Sequence, residues 1–144
     1  MTCHEIYDIT MALMDEMIDN TTLEQEPNAD YPSTKDYQAR TPGILTILQT
    51  EVVMFLKQRG VDIDSLERLE TMEDNVELDD DICMGVLPYG LAARLLGQED
   101  TSLSSYFSNL YNSGLASAAE SSSDRKKAKQ VSGDNIYGLF RAGD

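Results

Sequence analysis

The 144-residue chain has no tryptophan, one histidine (His4), two cysteines (Cys3 and Cys83) and four prolines, and its 11 basic residues are outnumbered by 26 acidic ones. Each scarcity excludes something. Two cysteines 80 positions apart are too few and too scattered for a disulfide framework, and with a single histidine they cannot assemble a zinc site of ordinary ligand count within one subunit. Adjacent Cys3 and His4 point to different faces of a helix, so no metal is expected there. No run approaches the roughly 20 apolar residues of a membrane span, and the start, Met1-Thr2-Cys3-His4-Glu5, lacks the basic-then-apolar layout of a secretion signal. The expectation is a cytoplasmic protein with no membrane partner. Phosphate-cradling Gly-x-x-x-x-Gly-Lys, the dinucleotide fingerprint, the Gly-x-Ser-x-Gly elbow and His-Glu-x-x-His are all absent. One histidine near the amino end leaves Ser-His and Cys-His devices without a well-placed base. Carboxylates are plentiful, as in paired-acid hydrolases, but they fall on polar faces and loops with no tryptophan platform for sugars. Neither an enzyme nor a cofactor is expected.

What is abundant is negative charge. The net charge is −15 and the pI about 4.2. Residues 124–144 hold Arg125, Lys126, Lys127, Lys129 and Arg141 against Asp124, Asp134 and Asp144, a net of +2, so the rest carries −17. An acidic body disfavours binding to phosphates and suits a surface that DNA passes without sticking, or one that a basic partner covers; solubility alone also accounts for it. A hydrophobic content of 41% argues against wholesale disorder. The length fits one domain with a modest core, or a smaller domain with an arm.

Apolar spacing is helical almost throughout. Thr2 and Glu5 have the spacing of a capping box, and Ile6, Ile9, Leu13, Met14, Met17 and Ile18 follow at intervals of three and four, which predicts a helix over about 3–18. Residues 21–33 are acidic, polar and broken by Pro27 and Pro32, a loop. After one helical turn at 35–40, Thr41 before Pro42 reads as a cap followed by proline at the first helical position. A long apolar series (Ile44, Leu45, Ile47, Leu48, Val52, Val53, Phe55, Leu56) then runs to a stop at Gly60. Its wide apolar arc places this helix at the centre of the bundle. Residues 61–78 read as a covering connector with no sustained period.

Two amphipathic patterns sit back to back between Asp79 and Ala119 and predict a helical hairpin. Met84, Leu87, Leu91 and Leu95 line the first arm, Asp79 to Asp81 oppose the positive end of its dipole, and Gly97 supplies its exit. Pro88 either kinks this arm or begins a fresh helix. Small residues Gly85, Gly90, Ala92 and Ala93 allow close approach of another backbone, inside the subunit or between subunits. Asp100 or Thr101 caps the second arm, whose stripe is Leu103, Tyr106, Phe107, Leu110, Tyr111, Leu115 and Ala118. The expected architecture is all-α: a four-helix bundle over 1–120 built on this hairpin, with long loops and a core that includes Leu48, Leu56, Leu87, Leu91, Leu95, Phe107 and Leu110. Residues 121–144 are expected to form a flexible linker and an extended docking arm. Ile136, Tyr137, Leu139 and Phe140 put four large apolar side chains within five positions of that arm.

The stretch LPYGLAARLLGQEDTSLSSYFSNLYNSGL from Leu87 to Leu115, with ELDDDI before it and NIYGLF near the end, resembles the small head-to-tail connector (adaptor) proteins of tailed bacteriophages and prophages. The likeness covers roughly the second half of the chain; the first half matches only in its order of helices. The resemblance implies a mostly helical subunit of a ring beneath the portal, carrying the channel through which DNA leaves the capsid. It implies that the hairpin builds the ring body and that the segment holding Ile136, Tyr137 and Phe140 docks on the portal or a neighbouring copy. It further implies contact with the next tail-side connector protein, DNA passing without specific binding, and a place in a virion assembled in the bacterial cytoplasm. The alternative expectation, from charge alone, is an acidic non-catalytic binding or regulatory protein of the DNA-mimic type.

Overall fold

The structure, a computed structural model, describes the backbone of residues 1–21 and 34–134 and the side chains of 1–15 and 36–121. Of the loop expected at 21–33, Thr21 is the last residue of the first helix and residues 22–33 lie outside the described residues, as do the terminal residues 135–144. The fold is all-α. Among the described residues five helices follow in order: α1 Cys3–Thr21, α2 Thr34–Gln58, α3 Asp80–Gly85, α4 Leu87–Leu95 and α5 Thr101–Asp134. Taken as units of the bundle, α3 and α4 are the two pieces of one hairpin arm.

α1 begins with the capping box. The Thr2 amide donates to Glu5 Oε1 (2.9 Å) and the Glu5 amide donates to Thr2 Oγ1 (3.1 Å). Two further first-turn amides, of Cys3 and His4, donate to the Asp74 and Met72 carbonyls of the connector at 2.9 Å each. The Val76 amide in turn donates to the Met1 carbonyl (2.8 Å). The connector thus supplies acceptors that a helix start lacks internally. The face that α1 buries is Cys3, Ile6, Tyr7, Thr10 and Met14, one helical stripe; Ile9 and Leu13 lie at its margin, half-buried. Thr10 sits within the apolar stripe because its hydroxyl donates to the Ile6 carbonyl (2.8 Å).

The expected break before Pro42 does not occur: α2 runs unbroken from Thr34. Thr41 is buried and its hydroxyl donates back to the Tyr37 carbonyl (2.6 Å), so it acts inside a helix and not as a cap. Pro42 leaves the Gln38 carbonyl without its usual amide donor, and Gln38 is exposed, where solvent can take that bond. Gly60 does close the helix. Its φ of +83° is the left-handed conformation that glycine adopts without strain. The Gly60 amide donates to the Lys57 carbonyl (3.0 Å) and the Val61 amide to the Leu56 carbonyl (3.0 Å), the two bonds of a Schellman stop.

The centre of the bundle is α4, and this corrects the expectation that α2 holds it. α4 packs against all four other helices, and seven of its nine residues are buried. Its small residues explain why a nine-residue helix can be surrounded. A β-carbon on Gly90 would stand 2.8 Å from Tyr111 Cδ1 and 2.9 Å from Leu48 Cδ2, so α2 and α5 close over a position without a side chain. One on Gly114 of α5 would stand 3.3 Å from the Gly85 carbonyl oxygen. The close approach is therefore within the subunit at both places. Of the expected alternatives at Pro88, the fresh helix is found. Val86 (φ −125°, ψ −55°) separates α3 from α4, and Pro88 occupies the first turn, where its missing amide leaves no bond unmade.

Leu48, Leu56, Leu87, Leu91, Leu95 and Phe107 are fully buried, while Leu110 is half-buried at the edge of the core. Two side chains placed on the hairpin stripe by spacing are exposed instead, Met84 and Tyr106. The buried series through α3 and α4 is Cys83, Leu87, Leu91 and Leu95, four apart and flanked by Ile82 and Val86, and Met84 falls outside it. On α5 the buried series is Leu103, Phe107, Tyr111, Leu115 and Ala119, strictly four apart, and Tyr106 falls outside it with its ring edge on Phe107 at 5.4 Å between centroids. Asp100 is the cap of α5: its Oδ1 accepts from the Leu103 amide (3.0 Å). The linker expected from Ser121 to Gly133 is a correction too, since α5 continues through it to Asp134. Nothing between Gly114 and Gly133 breaks a helix, Ala, Arg, Lys and Gln favour one, and extending a packed helix needs no new nucleus.

Candidate functional site

The residues expected to dock on a partner, Ile136, Tyr137, Leu139 and Phe140, lie outside the described residues. The described body contributes a polar seam, surface grooves and an uneven distribution of charge.

The polar seam ties α2 to the hairpin. Arg94 on α4 pairs with Glu51 on α2 (Nη2 to Oε2, 2.5 Å), and the Tyr111 hydroxyl on α5 donates to the other Glu51 oxygen (3.0 Å). One carboxylate thereby joins three helices. At the far end of the hairpin arm the Tyr37 hydroxyl donates to Glu99 Oε2 (2.6 Å), and Arg40, ion-paired with Asp36 one turn away at 3.3 Å, reaches the Arg94 carbonyl. Both tyrosine hydroxyls are held above their ordinary value near 10, first by burial and then by the neighbouring carboxylate, which opposes a second negative charge. Such hydroxyls are donors that fix geometry; they do not supply protons near neutral pH.

The cysteines are equally unsuited to chemistry. Cys3 and Cys83 are buried free thiols. Burial, with a smaller contribution from Asp74, pushes Cys3 up to about 11, and burial also raises Cys83. His4 is exposed and lies 3.5 Å from Asp8. Among the described residues no group of three or more His, Cys, Asp or Glu side chains is placed to hold a metal ion.

The larger groove, about 740 Å³, runs between α2 and the connector and is lined by residues 65–70 with Gln49, Asp74, Asn75 and Glu77. Its walls are tied down by the same residues. Gln49, buried, donates to the Glu67 carbonyl (2.5 Å), Thr46 Oγ1 accepts from the Leu69 amide (2.9 Å), and Asp74 Oδ2 accepts from the Glu70 and Thr71 amides (2.7 and 2.9 Å). Those two amides hold the Asp74 carboxyl below its usual range. A second groove, about 260 Å³, lies between α3 and α5, with Asp79 and Asp81 on one wall and Gly114, Ser117, Ala118 and Ser121 on the other.

Charge is sorted along the fold. Residues 61–84, the connector and α3, hold ten acidic residues and one basic residue, Arg68, a net of −9. Residues 34–60, α2 with its stop, hold Lys35, Arg40, Lys57 and Arg59 against Asp36 and Glu51, a net of +2. The basic excess over residues 124–144 is therefore not alone in the chain. The α2 excess was legible in the same letters but concealed inside a strongly apolar helix. No helix among the described residues is long and apolar enough to cross a membrane. No protein-family model matches the chain, and comparison with curated proteins and with solved structures gives no match.

Proposed function

We propose that the chain is a non-catalytic structural subunit of a phage head-to-tail connector ring, docking on the portal through its C-terminal segment and lining the channel by which DNA leaves the capsid. The observation that carries this reading is the coincidence of the resembling stretch with the structural centre. Leu87 to Leu115 is the α4–α5 hairpin around which α1, α2 and α3 pack. Acidic excess supports it, since a surface rich in carboxylates and poor in paired cations repels phosphates and lets DNA slide past. The terminal apolar cluster Ile136, Tyr137, Leu139 and Phe140 follows the basic run Arg125 to Lys129, a composition suited to a docking segment on an otherwise acidic protein.

The test is co-sedimentation of the full chain with a tailed-phage portal protein, alongside a chain lacking residues 135–144. Binding of the full chain and loss of binding in the shortened one support the reading; equal binding of both, or none by either, removes it. The −9 stretch over residues 61–84 favours a second reading, an acidic protein that occupies a DNA-binding partner. That reading expects DNA to compete the chain off one basic protein and expects no portal binding.

A further inference from the structure

Four large apolar side chains are well exposed on the described body: Met54 (57%), Ile47 (50%), Met84 (49%) and Tyr106 (46%). Tyr106 leans on Phe107. The other three sort into two patches with opposite charge. Ile47 and Met54 are seven residues apart on α2 and so share its outer face, and Lys57, three residues beyond Met54, stands beside them. Lys57 is exposed and makes no ion pair with any described residue. The one carboxylate within this stretch of α2, Glu51, is already engaged by Arg94 and Tyr111. Met84 stands on α3 three and four residues after Asp81 and Asp80, on their side of the helix. Both aspartates are exposed and make no ion pair among the described residues. Gly85 beside them has open space where a side chain would be. The patches belong to helices that do not pack on each other, with α4 between them.

We propose that the α2 face of one copy, formed by Ile47, Met54 and Lys57, packs on the α3 patch of a second copy, formed by Asp80, Asp81 and Met84. Charge complementarity selects this occupant. α2 against α2 offers Lys57 no free carboxylate, and α3 against α3 offers the aspartates no cation, whereas α2 against α3 pairs opposite charges around a methionine contact that adapts its shape. Because the two patches are different, the contact is head-to-tail: a pair of copies keeps one free patch of each kind, and successive copies close into a ring or continue as a filament. The inference deepens the ring element of the proposed function and rests on it only in taking the partner to be another copy. It is independent of the C-terminal segment and of any portal.

The test uses the full chain, sedimentation velocity and two substitutions that put a carboxylate into one patch each, Met54→Glu and Met84→Glu, with circular dichroism confirming that each variant keeps its helix content. Should either variant lose it, Met54→Ser and Met84→Ser replace them, since both sites are about half exposed. The wild-type chain is expected to show a mass that rises with concentration. Each variant alone is expected to associate at least about tenfold more weakly. An equal mixture of the two is expected to form pairs and nothing larger, because the intact α3 patch of Met54→Glu meets the intact α2 face of Met84→Glu, while the two altered patches would set glutamate against glutamate. A wild-type chain that stays single at all soluble concentrations, variants that associate as the wild type does, or a mixture that forms no pairs would each overturn the proposal. Head-to-tail association without portal binding would remove the portal reading and leave this contact standing. Portal binding by single copies would do the reverse.

Discussion

The Tyr111 hydroxyl lies 3.0 Å from Glu51 Oε1, joining α5 to α2 across the edge of α4 beside Arg94. Replacing Tyr111 with Phe keeps the ring against Gly90 and removes only this bond. The loss expected is about 1 kcal/mol in urea unfolding, at the modest end because Glu51 and Arg94 are part-exposed and solvent screens them. A midpoint equal to that of the wild type would mean the bond contributes nothing.

The same tyrosines set an alkaline limit. Tyr37 and Tyr111 titrate higher in the fold than their ordinary value near 10, so the folded state holds their protons more tightly than the unfolded chain does. The stability this provides is whole below pH 10 and falls as pH rises beyond it, when unfolding begins to release protons. The double variant Tyr37→Phe, Tyr111→Phe is expected to be less stable at pH 8 and to lose less stability between pH 9.5 and 11.5. A decline equally steep in wild type and variant would contradict the assignment.

Two glycines on packed helices should respond to alanine in opposite directions. At Gly90 the new methyl meets Tyr111 and Leu48 at under 3 Å, and the strain of about 1–3 kcal/mol exceeds the gain of up to about 1 kcal/mol in helix propensity, so Gly90→Ala destabilises. At Gly43, inside α2, nothing stands within 4 Å, and Gly43→Ala is expected to stabilise by about 0.5–1 kcal/mol. Thermal unfolding of both variants checks the pair, and the same sign for both would show the packing around α4 to be wrong.

Truncations in the core should rank by burial. Leu91→Ala at the bundle centre is expected to cost about 2–5 kcal/mol, a large share of the stability of a domain this size, while Leu110→Ala at the margin costs clearly less. Denaturant titration orders them, and the reverse order would displace α4 from the centre.

Cys3 and Cys83 should resist alkylation in the native protein at pH 8, because both thiols are buried and both are held above their ordinary range. Labelling is expected to track unfolding as urea is added. Rapid modification of either thiol without urea would place it at the surface.

Signals local to one helix were legible in the letters. The Thr2–Glu5 box, the Asp100 cap, the Gly60 stop and the series Leu103, Phe107, Tyr111, Leu115 each need only a few neighbouring residues to be read. What failed depended on tertiary context. Thr41-Pro42 carries the signature of a helix start, but Thr41 bonds back to Tyr37 inside the helix, and the one carbonyl that Pro42 deprives belongs to exposed Gln38. Met84 has a helical spacing to Leu87, yet the packed stripe runs four apart and takes Cys83 in its place. The serine-rich run after Ala119 reads as a linker until the packed helix before it is known to continue. The α2 and α3 patches share this character. No spacing rule says that Ile47 and Met54 are left over once α4 has taken the centre, and only the packed fold shows which apolar residues remain outside.

The most direct measurement of the central claim is electron microscopy of the full chain mixed with a tailed-phage portal protein. The result expected is an added ring of copies on one end of the portal, coaxial with it and open along the axis, absent when residues 135–144 are removed. Portal particles without added density, with the chain left as single copies in the background, would contradict the claim.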